Sequence, residues 1–123
     1  MGHRETSRER SIVMRYIPKQ GDIIFLNFDP QAGHEQAGHR PALVISNNDF
    51  NTFMQSGTIV CPITNTDRDY PFHVKLPKGM KTTGVVMCDQ IKSLDISSRH
   101  AYFHDEAPNE VLHEVLEKIK LFF

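Results

Sequence analysis

The 123-residue sequence lacks the features of several large protein classes. No apolar run reaches the roughly 20 residues that a membrane-spanning helix needs. No signal peptide with a hydrophobic centre opens the chain. We therefore expect a cytoplasmic protein with no membrane association. The length suffices for one hydrophobic core and is too short for two, which predicts a single folded domain.

Cysteine and net positive charge are both scarce. Cys61 and Cys88 are the two cysteines, and each lies within a β-like apolar run. Such thiols in a cytosolic protein are usually small buried hydrophobes, so we expect both in the core. The formal net charge is −1. Proteins that bind duplex nucleic acid by bulk electrostatics are clearly basic, so any nucleic-acid contact here requires a local positive groove.

Motifs for metal and nucleophile chemistry are absent as well. There are seven histidines, but neither a cysteine pair nor an HExxH helix accompanies them, which argues against a metal site. No nucleophile-elbow pattern of serine hydrolases occurs. The sequence therefore predicts chemistry that is carried by side chains, without a cofactor.

Short apolar runs separated by turn signals predict a mainly β fold. Five or six short strands at this spacing are typical of a small barrel or a curled antiparallel sheet. Pro62 within one run indicates an edge, a bulge or a corner at that point. The runs cover residues 22–28, 41–46, 58–63, 72–76 and 84–94.

The run at residues 72–76 alternates strictly between apolar and polar side chains. Successive residues of a strand point to opposite faces. We therefore expect Phe72, Val74 and Leu76 to face inward and His73 and Lys75 to face outward.

Helices are predicted at two places, and a tail precedes the fold. Residues 47–54 suit a short helix with Asn47 or Asn48 as its N-cap. Residues 109–122 carry apolar side chains at helical spacing. Residues 1–13 are polar and unpatterned, so we interpret them as a flexible tail and residues 14–123 as the domain.

The loop within residues 28–46 holds the densest group of reactive side chains. It brings together a carboxylate, two imidazoles and a guanidinium, which are Glu35, His34, His39 and Arg40. An acid, a base and a fixed cation between rigid strands suit phosphoryl transfer on a polyanion. Arg40 precedes Pro41 and is placed to grip a phosphate, although it could equally pair with a carboxylate to brace the loop. Plain solvation is the alternative for Glu35.

Polar residues at two other places are weaker candidates. Thr64 and Asn65 end an apolar run, where they could donate to a phosphate oxygen. Asp89 and Gln90 interrupt an otherwise apolar run. Because adjacent strand residues face opposite sides, we expect one of them to line a groove and the other to serve structure.

Five ordered segments then resemble the MazF/PemK (Kid) toxin family, over residues 14–123. Each segment alone would be weak evidence, whereas the ordered set is specific. The segments read GDIIFLNFDP, GHEQAGHRPALVIS, CPITN, TTGVVMCDQIKSLD and APNEVLHEVLEKIK.

The resemblance implies a toxin of a type II toxin–antitoxin system with an SH3-like β-barrel and a C-terminal helix. It implies a homodimeric, metal-independent and sequence-specific endoribonuclease. Its substrate would be single-stranded RNA, chiefly mRNA, and the products would carry 2′,3′-cyclic phosphate and 5′-hydroxyl ends. A MazE/PemI-type antitoxin would block the RNA groove, and the toxin–antitoxin complex would bind DNA.

The resemblance also assigns catalytic roles by motif position. Arg40 would stabilise the phosphorane and protonate the leaving 5′-oxygen, and Thr64 would hold the scissile phosphate. Glu35 and Asp89 are alternative general bases. PemK-like members carry an arginine, proposed as general acid, where this chain has Met87. A thioether can neither donate a proton nor hold a phosphate, so the acid role falls to Arg40.

RNA contacts are expected from residues around these positions, namely His34, His39, Gln90, Asn65 and Lys92. Two rival functions stay open at this point. The chain could be a non-catalytic toxin that binds a protein target, as the CcdB-like gyrase poisons do. It could also be an SH3-like binding module in which the loop is structural.

Overall fold

Seven strands form one antiparallel sheet in the computed structural model, which describes residues 16–28, 38–54 and 57–123. The strands are β1 (Asp22–Asn27), β2 (His39–Val44), β3 (Thr58–Thr64), β4 (His73–Lys75), β5 (Val85–Met87), β6 (Lys92–Leu94) and β7 (Tyr102–Glu106). Their order across the sheet is β4-β5-β3-β2-β1-β7, and β6 pairs with β3 beside this path. The predicted mainly β class is confirmed, although the sheet does not close into a barrel within the described ranges.

Helices follow the sequence prediction closely. Helix α1 (Asn48–Phe53) begins after Asn47, whose side chain accepts a hydrogen bond from the Phe50 amide at 2.8 Å. Helix α2 (Asn109–Lys120) ends the fold and a 3₁₀ turn (Ser97–Arg99) precedes β7. No helix in the described part of the chain is long and apolar enough to cross a membrane. The predicted tail at residues 1–13 lies outside the described residues.

Each face of the sheet carries its own apolar cluster. Ile23 packs with Val111 and Val115 of α2, which defines the helix face. Ile24 and Leu26, the alternate residues of β1, pack into a second cluster on the opposite face. All five side chains are at most 4% exposed. Burial of such a side chain contributes about 1.5–3 kcal/mol. Strand β1 is therefore buried on both faces.

The two thiols are buried in the helix-face cluster, as predicted. Cys61 and Cys88 are both free and fully buried. Burial raises the pKa of Cys61 to about 12 and that of Cys88 to about 11. Because both thiols stay protonated and inaccessible at neutral pH, they act as core residues.

Pro62 marks a corner in the sheet. One edge of β3 pairs with β2, including Ala42 opposite Pro62. The other edge pairs with β6 through residues 58–60 and with β5 through residues 63–64. Pro62 lies between these two pairings, where a missing backbone N–H is tolerated. Of the three predicted alternatives, an edge, a bulge or a corner, the strand pairing corresponds to a corner.

The run at residues 84–94 is two strands rather than one. Strand β5 ends at Met87, a turn follows at residues 88–89, and β6 begins at Lys92. The break is required because β5 and β6 pair with different halves of β3. Asp89 and Gln90 therefore lie in the connection, and strand alternation does not decide their directions.

Two further expectations need correction. His73 does not face outward freely, since its side chain is only 7% exposed, whereas Phe72 is 40% exposed. The apolar pattern also does not predict β7, because all five of its residues are at least partly exposed. Val74 and Leu76 are buried as predicted, at 1% and 9% exposure.

Gly84 sits where no side chain fits. Its φ is +119°, and a Cβ atom there would lie 2.4 Å from the carbonyl oxygen of Thr64. The Gly84 carbonyl accepts a hydrogen bond from the Leu76 amide at 3.0 Å, which ties β4 to the start of β5. Glycine at this point therefore allows β5 to approach the end of β3.

We expect Gly84→Ala to lower the free energy of unfolding by roughly 1–3 kcal/mol more than Gly79→Ala. Gly79 is a matched control, because its φ is also positive, at +92°, while its added Cβ would have no described atom within 4 Å. Urea unfolding of both variants measures the difference. Equal losses would show that the contact with Thr64 does not constrain Gly84.

Candidate nucleic-acid cleft

A cleft of about 240 Å³ opens where β2, β3 and the β5–β6 connection meet. Three residues proposed from the sequence, Arg40, Gln90 and Lys92, lie in its wall. The lining among the described residues is Phe28, Gly38, Arg40, Pro62, Met87, Gln90 and Lys92. The fold thus brings together residues that are up to 64 positions apart in sequence (92 minus 28).

Strand register explains why Arg40 reaches this cleft. Ala42 pairs with Pro62, and paired residues present their side chains on the same face. Arg40 lies two residues before Ala42, and Thr64 lies two residues after Pro62, so all four share that face. Continued by two residues, the register would set Thr64 opposite Arg40. We call this side of the sheet the cleft face.

The other wall comes from β5 and β6. Lys92 pairs with Val60, which is buried in the cluster of the cleft face. Met87 lies two residues beyond Val85, the partner of Thr64, so it also belongs to the cleft face. Gln90 enters from the connection between these strands. An amide, a thioether and an ammonium group therefore face Arg40 across the cleft.

The cleft carries positive charge in a chain whose net charge is −1. Arg40 and Lys92 are both exposed. Neither side chain forms an ion pair or a hydrogen bond within residues 16–28, 38–54 and 57–123. No carboxylate lines the cleft in these ranges. Two uncompensated cations in a concave surface attract a polyanion such as a nucleic-acid backbone.

Thr64 and Asn65 lie at the end of β3, beside the cleft but outside its lining. The Thr64 hydroxyl accepts a hydrogen bond from the Thr66 amide at 3.1 Å. The Asn65 side-chain oxygen accepts one from the Thr83 hydroxyl at 2.9 Å. These bonds orient both side chains and leave the Thr64 hydroxyl proton and the Asn65 amide nitrogen as donors.

His39 lies on the helix face, opposite the neighbouring Arg40. Its ring meets those of Phe25 and Tyr102 edge-on, with centroids 5.6 and 5.8 Å away. His104 completes this aromatic group, 4.7 Å from the Phe25 ring. The His39 Nε2 atom is buried and has no hydrogen-bond partner among the described residues. The RNA contact predicted for His39 stays a prediction, and its position does not favour it.

Of the remaining sequence candidates, the structure describes only Asp89. Asp89 lies between two lining residues but is not one itself, and its Oδ1 atom is 4.0 Å from Nε2 of His73. Glu35 and His34 lie outside the described residues. No group of three or more potential metal ligands occurs in the described ranges.

Arg99 is a positioning residue that the sequence does not reveal. Its Nη1 atom donates to the carbonyl oxygens of Asn27 and Phe28, at 3.2 and 2.9 Å. The Phe28 amide also donates to the Gly38 carbonyl at 2.8 Å. Together these bonds hold Phe28 and Gly38, the residues on either side of the segment that contains Glu35. The two Arg99 bonds join residues 71 and 72 positions apart, so no local pattern could have indicated them.

The 3₁₀ turn that carries Arg99 is held by Asp95. Its Oδ1 atom accepts hydrogen bonds from the Ser97 amide and hydroxyl, both at 3.1 Å. The pKa of Asp95 is lowered, chiefly by the Ser98 amide and further by Ser97, against a smaller opposing effect of desolvation. The ionised carboxylate thus holds the turn, and Arg99 extends from the turn to the end of β1.

The fold and the site define a small antiparallel-sheet protein with a C-terminal helix and a cationic cleft suited to a polyanion. Residues 19–123 match the family described as PemK-like, MazF-like toxin of type II toxin-antitoxin system. The chain belongs to this toxin family.

Individual relatives agree with this assignment. The endoribonuclease toxin MazF of Escherichia coli K12 is 40% identical over 111 residues, covering 89% of this chain and 97% of the relative. A crystal structure of MazF from Deinococcus radiodurans superposes with a TM-score of 0.78 at 44% identity, covering 88% and 97% of the two chains. A MazE–MazF structure from the same organism gives 0.76 at 38% identity, covering 88% and 96%.

We expect Arg99→Met to lower the free energy of unfolding by roughly 1.5–3 kcal/mol, because hydrogen bonds to a charged group are lost. It should also weaken RNA binding, since the base of the loop loses its brace. Urea unfolding and fluorescence anisotropy with labelled RNA measure the two effects.

Lys81→Met is the matched control for Arg99→Met. Lys81 also donates to a backbone carbonyl, that of His104, at 3.3 Å, but it does not line the cleft. The control should leave RNA binding unchanged. Equal binding losses in both variants would contradict a specific role for Arg99.

Proposed function

We propose that this protein is the toxin of a type II toxin–antitoxin module, an endoribonuclease that cuts single-stranded mRNA at short sequence motifs. The observation that carries the proposal is the cleft in which Arg40 and Lys92 form no ion pair with any residue that the structure describes. Membership of the MazF/PemK toxin family supports the same activity, because the 40% identical relative is an endoribonuclease toxin.

RNA supplies the nucleophile for the proposed reaction. The 2′-hydroxyl oxygen attacks the adjacent phosphorus, so an O2′–P bond forms and the P–O5′ bond breaks. The hydroxyl proton passes to a general base, and the leaving 5′-oxygen gains a proton. The products are a 2′,3′-cyclic phosphate and a 5′-hydroxyl. The protein has to provide only a base, an acid and a cation, all held in place.

Arg40 is the residue we assign to the phosphate. Its guanidinium can donate two parallel hydrogen bonds to phosphate oxygens, stabilise the charge of the phosphorane and protonate the leaving oxygen. Thr64, on the same face and two residues beyond Pro62, suits a hydrogen bond to a non-bridging oxygen. Met87 at the cleft wall contributes neither charge nor a proton, which leaves Arg40 with the acid role.

Two carboxylates are alternative general bases in this proposal. Asp89 adjoins the cleft lining and is 39% exposed, so its carboxylate is accessible to a substrate. Glu35 belongs to the segment that follows Phe28, whose carbonyl Arg99 holds. Substituting each with its amide and comparing the effects on kcat would assign the proton transfer.

Gln90 and Lys92 are the residues we propose for RNA binding at the cleft. A side-chain amide can read the edge of an unstacked base, whereas an ammonium group can hold the backbone beyond the scissile phosphate. Asn65, at the end of β3, would add a donor at the cleft margin. His34 and His39 stay as predicted contacts, with His39 the weaker of the two because it lies on the helix face.

The partners follow from the same assignment. A cognate antitoxin of the MazE/PemI type binds and inhibits the toxin, as the MazE–MazF structure of a relative suggests. We also propose a homodimer and a cytoplasmic location, where mRNA is available. Strand β7 ends the sheet within the described ranges and presents Tyr102 and Phe103, each 49% exposed, which suits a protein contact.

We expect Arg40→Ala to reduce kcat for RNA cleavage by roughly 100- to 1,000-fold while the fold is retained, because a donor to the developing charge is lost. Lys120→Ala is the control, since it removes the same charge from exposed α2. Gel assays with a labelled oligonucleotide and circular dichroism give the two readouts.

An oligonucleotide with a single 2′-deoxy sugar at the cut site should resist cleavage, since it lacks the nucleophile. Failure of the wild-type protein to cut any RNA would favour a non-catalytic toxin that binds a protein target.

Cleavage should continue at an unchanged rate in excess EDTA. The nucleophile is the 2′-hydroxyl of the RNA itself, so the reaction requires no metal-bound water. Initial rates with and without the chelator test this. Loss of activity that Mg²⁺ or Zn²⁺ restores would contradict the proposed mechanism.

A further inference from the structure

His73 is an enclosed imidazole on the polar part of the cleft face. It pairs with Met87, a residue of the cleft wall, so both side chains lie on that face. Its side chain is nevertheless only 7% exposed. Its Nδ1 atom is buried and has no hydrogen-bond partner among the described residues. Enclosing a polar ring in this way is unfavourable unless its other nitrogen makes a compensating interaction.

The other ring nitrogen faces a carboxylate. Nε2 of His73 is 4.0 Å from Oδ1 of Asp89, and the Tyr70 ring covers the imidazole with centroids 5.1 Å apart. A second carboxylate, Asp67, is also near. Its pKa is lowered chiefly by the Asp69 amide and further by Lys75 and His73. Asp67 already pairs with Lys75 at 3.5 Å, which leaves Asp89 as the carboxylate that depends on His73.

The backbone around Asp89 is fixed independently of this contact. The Cys88 amide donates to the Phe72 carbonyl at 3.0 Å, and the Gln90 amide donates to the Met87 carbonyl at 3.1 Å. The turn is therefore anchored on both sides of Asp89. Only the Asp89 side chain keeps conformational freedom. The imidazole of His73 restricts that freedom because it faces one of the two carboxylate oxygens.

We propose that His73 is a positioning residue that orients the Asp89 carboxylate for proton transfer in RNA cleavage. This inference rests on the proposed ribonuclease function. The imidazole faces Oδ1 at 4.0 Å, which leaves Oδ2 to accept the proton of the 2′-hydroxyl. His73 does not contact the substrate and acts through Asp89.

We expect His73→Phe, which keeps a planar ring and removes the donor, to lower kcat by roughly 10- to 100-fold, the effect of a misplaced catalytic group. KM should stay unchanged. His73→Gln retains a side-chain N–H donor and should recover part of the rate. His73→Gln also serves as the test variant if His73→Phe does not fold.

The decisive measurement is a double-mutant cycle with Asp89→Asn. In the Asp89→Asn background, His73→Phe should have no further effect on kcat, because its target is already removed. If the two kcat losses multiply in the double variant, the proposal is overturned. Full activity of the His73→Phe single variant would overturn it as well. His113→Gln, an exposed histidine on α2, is the control and should behave as wild type.

A second readout does not depend on activity. Asp89→Asn should move the imidazole NMR resonances of His73 and leave those of His113 in place. Unmoved His73 resonances would show that the pair does not form in solution. If the resonances move and the wild-type protein cuts no RNA, the contact between His73 and Asp89 is real. Both the proposed ribonuclease function and the role of His73 in cleavage are then refuted. If RNA is cut and the cycle shows no coupling, only the role of His73 is refuted.

Discussion

The pairing of β3 with three neighbours is the constraint on which the rest of the structure depends. One edge of β3 holds β2, while the other edge is divided between β6 and β5 at Pro62. The first pairing sets Arg40 on the cleft face. The second brings Met87 and Lys92 to the same face from the other side. A cleft therefore forms at the corner, where a proline without an N–H donor causes no loss of backbone hydrogen bonding.

The polar and apolar parts of the cleft face have separate tasks. The apolar part, with Ile24 and Leu26, anchors the strands and fixes their register, because a slip by one residue would expose it. The polar part carries the cations at the strand ends, where burial is incomplete. The apolar core thus keeps the strands of the cleft in place, and the cleft needs few hydrogen bonds between its own side chains. Arg99 holds the end of β1 through the backbone carbonyls of Asn27 and Phe28.

Local patterns predicted most elements because they depend on short-range periodicity. Residues 109–122 gave a helix, as observed for α2, and the Pro62 corner followed from one missing donor. Two elements escaped prediction for physical reasons. Strand β7 is exposed and so has no apolar alternation, and the break between β5 and β6 depends on long-range pairing. His73 was expected to face outward because it alternates with apolar neighbours, whereas the Tyr70 ring and the turn that carries Asp89 lie against it.

The sequence by itself determined the toxin family, the mainly β class and the identity of the candidate cation Arg40, because each depends on residue type and order. Only the tertiary structure decided which candidates meet. It joined Arg40, Gln90 and Lys92 in one cleft and set His39 on the opposite face. It also enclosed His73 beside Asp89. Strand register and side-chain burial are long-range properties, and a linear pattern of residues does not contain them.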